Sequence, residues 1–315
     1  MGVSLQDAQA IFTDTGLRTQ YGVILPPGSR VAAYVRSTGQ QSGDDAFLTT
    51  NLVPTLAQGL ARVRAGLGDA VIVMPGHVEN IADATTISNA LLAGTKIVGV
   101  GLGGNTPTFT FTATTSQIAV SVNDVLIVGC RFLLDGINAV ANAFNITGAD
   151  FNFLYNEVRN SQTAKACTVC MTLAAGADRA NITSNVFRGL STSTGTDGIL
   201  VSGAINDARI CDNEMVMATT TTNGLVRVTA AALGLKILRN TISNTIAASV
   251  AGINLGNVAI TGQVANNTIT VLNTGAQVSG TTGITIGAAC VAGFFQNFVV
   301  NDPLKSGILQ PAADT

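Results

Sequence analysis

The octets ARICDNEM at residues 208–215 and LKILRNTI at residues 235–242 share one order of side-chain types: apolar, polar, apolar, variable, polar, Asn, polar, apolar. Working outward, the pattern recurs as ANITSNVF at 180–187, FNFLYNEV at 151–158 and VLIVGCRF at 125–132 on one side. On the other side it recurs as GQVANNTI at 262–269 and AGFFQNFV at 292–299. The sixth position is Cys130, Asn156, Asn185, Asn213, Asn240, Asn267 and Asn297, in steps of 26, 29, 28, 27, 27 and 30 residues. Looser copies, KIVGVGL at 96–102 and AVIVMPGHV at 70–78, stand one and two steps earlier. A second landmark keeps pace. Gly198-Ile199, Gly224-Leu225, Gly252-Ile253 and Gly283-Ile284 each lie 14 to 16 residues before an Asn of the first series.

A period near 28 with strand-like alternation means one coil of several short strands. One coil alone cannot bury its apolar face, so coils must stack. Stacking turns position 3 (Ile127, Phe153, Ile182, Ile210, Ile237, Val264, Phe294) and position 8 (Phe132, Val158, Phe187, Met215, Ile242, Ile269, Val299) into continuous interior columns. The Asn column fits a turn between two strands. Asn tolerates the left-handed conformation, and its amide can bond the Asn of the next coil. Asn156, Asn185, Asn213, Asn240, Asn267 and Asn297 are therefore read as a structural ladder. An α/β alternative needs amphipathic helices of about 10–15 residues between strands. Intervals such as STSTGTDGILVSGAIND are too rich in Thr and Gly for that. The expected fold is an all-β, right-handed parallel β-helix of about nine coils, a shaft about 43 Å long at about 4.8 Å per coil.

Composition agrees with this reading and excludes others. The chain has 315 residues, 47% apolar and only 11% charged, with 34 Gly and no Trp. Disordered chains combine high charge with low hydrophobicity, and helical bundles need charged surfaces. The net charge of -2 argues against nucleic acid. No apolar run is long enough for a membrane helix. The start, MGVSLQDAQA, has neither the basic nor the apolar region of a secretory signal. Five scattered cysteines, among them the single CxxC of Cys167 and Cys170, read as reduced thiols rather than a disulfide framework or zinc site.

The ends of the shaft need cover. PTLAQGLARVRAG at 54–66 reads as an amphipathic capping helix, with Leu56, Leu60 and Val63 on one face. Residues 1–53 read as an extended arm for assembly and anchoring, whose contacts would be Tyr21, Val23, Leu25, Val31 and Tyr34. Residues 54–300 hold the cap and the β-helix, and residues 301–315 form a tail over or beyond the last coil.

The order of helix, then GDAVIVMPGHVENI, then Asn-marked coils resembles the pectate-lyase-like β-helix superfamily, in which a capping helix leads into a GDxVxVxPGxYxE strand. The matching residues are Gly68, Asp69, Val71, Val73, Pro75, Gly76 and Glu79, with His77-Val78 in place of the usual pair. The resemblance covers residues 54–300 and is specific for fold. It implies either a carbohydrate-active enzyme or a virion protein of a tailed bacteriophage. The composition and the arm, with AAYVRSTGQQSGDD, resemble the capsid-associated members of the second group.

Sugar chemistry on such a shaft needs clustered carboxylates and aromatic platforms. The tyrosines are Tyr21, Tyr34 and Tyr155. The closest carboxylates of the shaft are Asp212 and Glu214. Asp212 aligns with Arg239 one coil on, and Arg131 with Glu157, so inter-coil ion pairs explain these charges better than catalysis does. Asp44 and Asp45 read as a solvated turn, His77 as a turn residue. No catalytic residue, metal or cofactor is expected. Position 4 should face outward yet reads Val128, Leu154, Thr183, Cys211, Leu238, Ala265 and Phe295, and its Val128, Leu154, Cys211, Leu238 and Phe295 form an apolar stripe that asks for cover. The expected function is a non-enzymatic decoration protein. It would be made in the host bacterial cytoplasm, carried on the virion, and bound to the major capsid protein or other virion proteins as a homotrimer. No nucleic-acid or membrane partner is expected. The alternatives are a tailspike or receptor-binding protein acting on host polysaccharide, and a free polysaccharide lyase or hydrolase.

Overall fold

The structure, a computed structural model, describes residues 28–39, 50–160, 165, 167–189, 195–219, 223–245, 251–271, 283–301 and 310–311. Among them nearly every element is a strand, and the strands stack in three sheets of twelve, ten and seven. The fold is an all-β parallel solenoid. The octet's first half builds the first sheet, with Leu126–Val128, Asn152–Leu154, Asn181–Thr183 and Arg209–Cys211 as consecutive rungs. Its second half builds the second sheet, through Arg131–Leu133, Glu157–Asn160, Val186–Gly189 and Glu214–Met217. The glycine landmark marks the third sheet, through Asp197–Val201, Val226–Val228, Ala251–Leu255 and Gly283–Ile286. Glycine is required there because the backbones nearly touch: a Cβ on Gly198 would stand 2.7 Å from the Leu225 carbonyl oxygen.

Register follows the sequence pattern. Ile127, Phe153, Ile182, Ile210, Ile237 and Val264 are successive partners in the first sheet. Phe132, Val158, Phe187, Met215, Ile242 and Ile269 are successive partners in the second. Both columns are buried in one continuous core, because a one-residue slip would turn every apolar side chain to water. Aromatic rings fill its N-terminal half, with Phe132 and Phe144 edge to face at 4.9 Å and Phe144 and Phe153 at 5.1 Å.

Three features differ from the sequence reading. The solenoid has about seven turns rather than nine, because the third sheet begins only at Ile118–Val120 and holds seven strands. The helix, α1, spans only Leu56–Leu60. Thr55 caps it, accepting a hydrogen bond from Gln58 N, and Leu56 and Leu60 are buried in the core. Its fourth residue is a glycine, costly in a helix but needed here: a Cβ on Gly59 would lie 2.8 Å from Val71 Cγ1. The segment expected as an arm is in part a rung. Val31–Val35 pairs in parallel with Ala70–Val73, and Leu52–Val53 pairs on its other side. Its alternation puts Ala33 and Val35 in the core and Tyr34 on the opposite face, so it satisfies the same pattern as the repeats. At the other end Gln310–Pro311 pairs antiparallel with Phe298–Asn301.

Candidate interaction face and the corners of the coil

The corner between the first and second sheets is built by two residues with separate tasks. Position 5 takes the left-handed backbone in every octet: Gly129, Tyr155, Ser184, Asp212, Arg239, Asn266 and Gln296 have φ from 48° to 73°. The Asn at position 6, read from sequence as the left-handed residue, is not. Its side chain points inward and serves main-chain groups that the corner leaves unpaired. Asn213 accepts at Oδ1 from Asn185 N (2.9 Å) and Asn185 Nδ2 (3.0 Å). It donates from Nδ2 to Ile182 O (2.8 Å) in the preceding coil and to Asn240 Oδ1 (3.0 Å) in the next. Asn185, Asn240 and Asn267 repeat this arrangement, Asn156 begins it by accepting from Cys130 N and donating to Ile127 O, and Asn297 ends it by donating to Val264 O. All six are buried. Cys130 occupies the same position without an amide. Burial pushes its thiol up to about 12.

A second left-handed column precedes the octet and was not read from the sequence: Gly68, Gly94, Asp124, Asp150, Arg179, Asp207 and Gly234. The signal for it was the run of Gly and Asp just before position 1, since these residue types visit that conformation most readily.

The charges are spent between coils. Arg131 Nε meets Glu157 Oε2 at 2.5 Å, Arg188 Nη2 meets Glu214 Oε1 at 3.0 Å and Lys96 Nζ meets Asp124 Oδ1 at 2.6 Å. Arg179, Arg227 and Arg239 grip Asp150, Asp197 and Asp212 with two nitrogens each, at 2.6–2.7 Å. Asp212 and Glu214 therefore turn away from each other in their pairing. Asp212 is held by Arg239 of the next coil, Glu214 by Arg188 of the preceding one. Among the described residues no group of three or more His, Cys, Asp or Glu is placed to hold a metal, and no helix is long and apolar enough to cross a membrane.

Two buried polar knots secure the N-terminal turns. Asp69 has no exposed side-chain surface. It accepts from Arg30 N, Arg64 N and the Arg64 guanidinium at 2.7–3.1 Å, and the Arg64 side chain holds its carboxyl down to about 2. His77, also fully buried, accepts at Nδ1 from Ser37 N (3.0 Å). A backbone N–H can only donate, so the ring proton sits on Nε2 and donates to Glu79 Oε2 at 3.0 Å. The same carboxylate oxygen accepts from Leu56 N at 2.8 Å, tying α1 to the turn. His77 is thus more than a turn residue, a role that only the approach of Ser37 and Leu56 discloses. Cys167 and Cys170 are both buried, and the Cys167 thiol together with burial holds Cys170 well above its ordinary range.

Position 4 of the first sheet faces away from the core, since none of Val128, Leu154, Cys211 and Leu238 joins the main cluster. The stripe is not uniform. Val128 is fully buried and Cys211 nearly so, whereas Leu154 and Leu238 are half-buried. The Phe295 side chain lies outside the described residues. The N-terminal rungs carry the stripe on through Tyr34, Ile72 and Val98, which join Val128 in a second apolar cluster with Ala70, Met74, Val100 and Leu126. Of the arm residues, Tyr34 belongs to this cluster and Val31 packs against it, and Tyr21, Val23 and Leu25 lie outside the described residues. Comparisons of the chain with protein-family models, with curated proteins and with solved structures return no match.

Proposed function

We propose that the chain is a non-enzymatic structural protein, a right-handed β-helix capped by α1 that serves as a rigid shaft in a larger assembly. The observation that supports it best is the disposition of the carboxylates. Asp124, Asp150, Glu157, Asp197, Asp212 and Glu214 each bind a cation of an adjacent coil, so these six acids hold turns together, while Asp83 and Asp178 accept from nearby Thr and Asn groups instead. A hydrolase or lyase needs at least one acid free to exchange a proton with substrate. The assembly that the sequence resemblance implies is a bacteriophage virion, with this protein as a decoration of the outer capsid shell. Leu154 and Leu238 would supply apolar contact, and a homotrimer would bring three such stripes to one axis. The test is the copy number of the chain in purified virions, measured by mass spectrometry and cryo-electron microscopy. Hundreds of copies per particle support decoration. A handful moves the protein to the tail, and absence from particles overturns the virion role. Release of reducing or unsaturated sugars from host polysaccharide by the purified chain overturns the non-enzymatic reading.

A further inference from the structure

The solenoid pairs its charges at the coil step. Six cation–carboxylate pairs join residues 26 to 30 apart, so a charge on one rung meets its opposite on the next. The outer face of the first sheet breaks this rule. Arg209 and Lys236 are register partners on adjacent rungs and carry the same sign. Their side chains, and that of Gln263 on the following rung, make no hydrogen bond or ion pair among the described residues. A second like-signed step, Arg159 against Arg188, is relieved because Glu214 takes Arg188. Here no acid does so. Asp212 is held by Arg239, Asp178 accepts from Asn206, and Asp207 sits at the left-handed corner with its Oδ1 against Gly234. Two cations on rungs about 4.8 Å apart repel each other, and an anion laid between them removes that cost.

The face is open at these rungs. Arg209 is exposed, and Lys236, Leu238 and Leu154 are half-exposed. The links beside them from the third sheet to the first, residues 202–208 and 229–231, are described, whereas residues 190–194, 220–222 and 246–250, outside the description, join the second sheet to the third. At the N-terminal end the same face is closed: Ile72, Val98 and Val128 are buried, and Arg36 gives its Nε–H to Gly39 O. We propose that the open portion, from Asn152–Leu154 to Ile260–Ala265, docks an acidic polypeptide segment of a partner protein. Its carboxylates bridge Arg209 and Lys236, and an apolar side chain packs on Leu238 and Leu154. This deepens the reading of the chain as an assembly component and rests on it. The dimensions suit such a segment. Position 2, with the cations, and position 4, with the leucines, lie about 6.6 Å apart along each strand. The rungs from Leu154 to Ala265 span about 19 Å, the length of about six extended residues. A nucleic acid fits poorly, because two cations are too few for its phosphate track and leucines offer phosphate nothing.

The probe is a fluorescein-labelled peptide of three Glu-Glu-Leu repeats, whose binding to the full-length chain is followed by fluorescence anisotropy. Peptides of Lys-Lys-Leu and Glu-Glu-Ser repeats are the comparisons. The acidic apolar peptide should bind, and more weakly as salt rises. Arg209→Gln with Lys236→Gln should weaken it about tenfold, and Leu238→Ser about fivefold. Arg188→Gln, at a paired arginine of the second sheet, should leave it unchanged. Lys236→Glu separates docking from a structural role. It restores the coil-step pairing with Arg209, so it should raise the urea midpoint while abolishing peptide binding. Failure of the Glu-Glu-Leu peptide to bind overturns the proposal, as does equal binding of either comparison peptide. A midpoint lowered by Lys236→Glu overturns it as well, because the two cations would then serve the fold. Self-association of the unaltered chain that Lys236→Glu removes would assign the face to a second copy and refute the partner. The copy number in virions is read separately. Peptide binding by a chain absent from particles upholds the docking face and removes only the virion role, and a chain abundant in particles that ignores the peptide keeps that role and loses this face.

Discussion

Replacing Asn213 by Ala tests whether the ladder holds the coils or merely decorates their corner. The side chain takes part in four hydrogen bonds, two accepted from Asn185 and two donated, to Ile182 O and Asn240 Oδ1. At a net of about 1 kcal/mol per bond, the loss is about 4 kcal/mol. Asn185 Nδ2 keeps Phe153 O and Thr183 O, which lowers the figure to about 3 kcal/mol. The buried Asn185 N–H keeps no such alternative and carries much of the cost. The measurement is urea unfolding with the m-value compared between variants, so that a change in midpoint reads as stability. Asn181→Ala is the control. That residue is an outward, half-buried Asn that donates to Asn152 across the coils at 3.2 Å and accepts from the Thr183 hydroxyl, which water can replace, so its loss should cost under about 1 kcal/mol. Asn156→Ala, at the ladder's start, should cost less than Asn213→Ala, since its Oδ1 serves only Cys130 N. Equal losses at Asn213 and Asn181 would refute the reasoning, because they would mean that burial and the two-coil bonding add nothing.

Asp69 gives an acid-labile increment with a defined sign. Its folded pKa, about 2, lies below the ordinary 3.8, so its stabilisation is complete above pH 4 and is lost as pH falls from 4 toward 2. With Arg64 partly in water, the increment is about 1–2 kcal/mol, and Asp69→Asn should flatten that step in a pH series of unfolding midpoints. Tyr155 holds a left-handed φ of 52° with an exposed ring. Tyr155→Gly should leave stability unchanged or raise it by up to about 1 kcal/mol, and Tyr155→Val should lower it by about 1–2 kcal/mol in the same assay. Leu154→Asp together with Leu238→Asp should abolish assembly in sedimentation while circular dichroism stays that of the parent, and assembly that survives both changes removes the stripe from the interface.

The fold was legible because its cause is periodic. Each coil solves the same burial problem with the same octet, so Ile182, Ile210 and Ile237 announce their register before any coordinate is known. The charges were legible for the same reason: the pairings of Arg131 with Glu157 and Asp212 with Arg239 follow from a coil step applied to the sequence. What was misread lies where several residue types meet one requirement. Tyr, Ser, Asp, Arg, Asn and Gln all occupy the left-handed position 5, and the uniform Asn beside them drew that role to itself. Val31–Val35 was set apart as an arm because no octet surrounds it, although its alternation already fitted a rung.

By itself the sequence determined the parallel stacking, the two interior columns and the site of the Asn ladder, since these depend on spacing alone. Tertiary structure decided which knots hold the first turns. The bonds that join Ser37 to His77, Leu56 to Glu79 and His77 to Glu79 span 40, 23 and 2 residues, none of them the coil step, so no periodic rule joins them. It also decided the fate of the outer stripe. Position 4 is apolar in every octet but the one with Thr183, and only the packing around each rung separates the buried Tyr34, Ile72, Val98 and Val128 from the half-open Leu154 and Leu238.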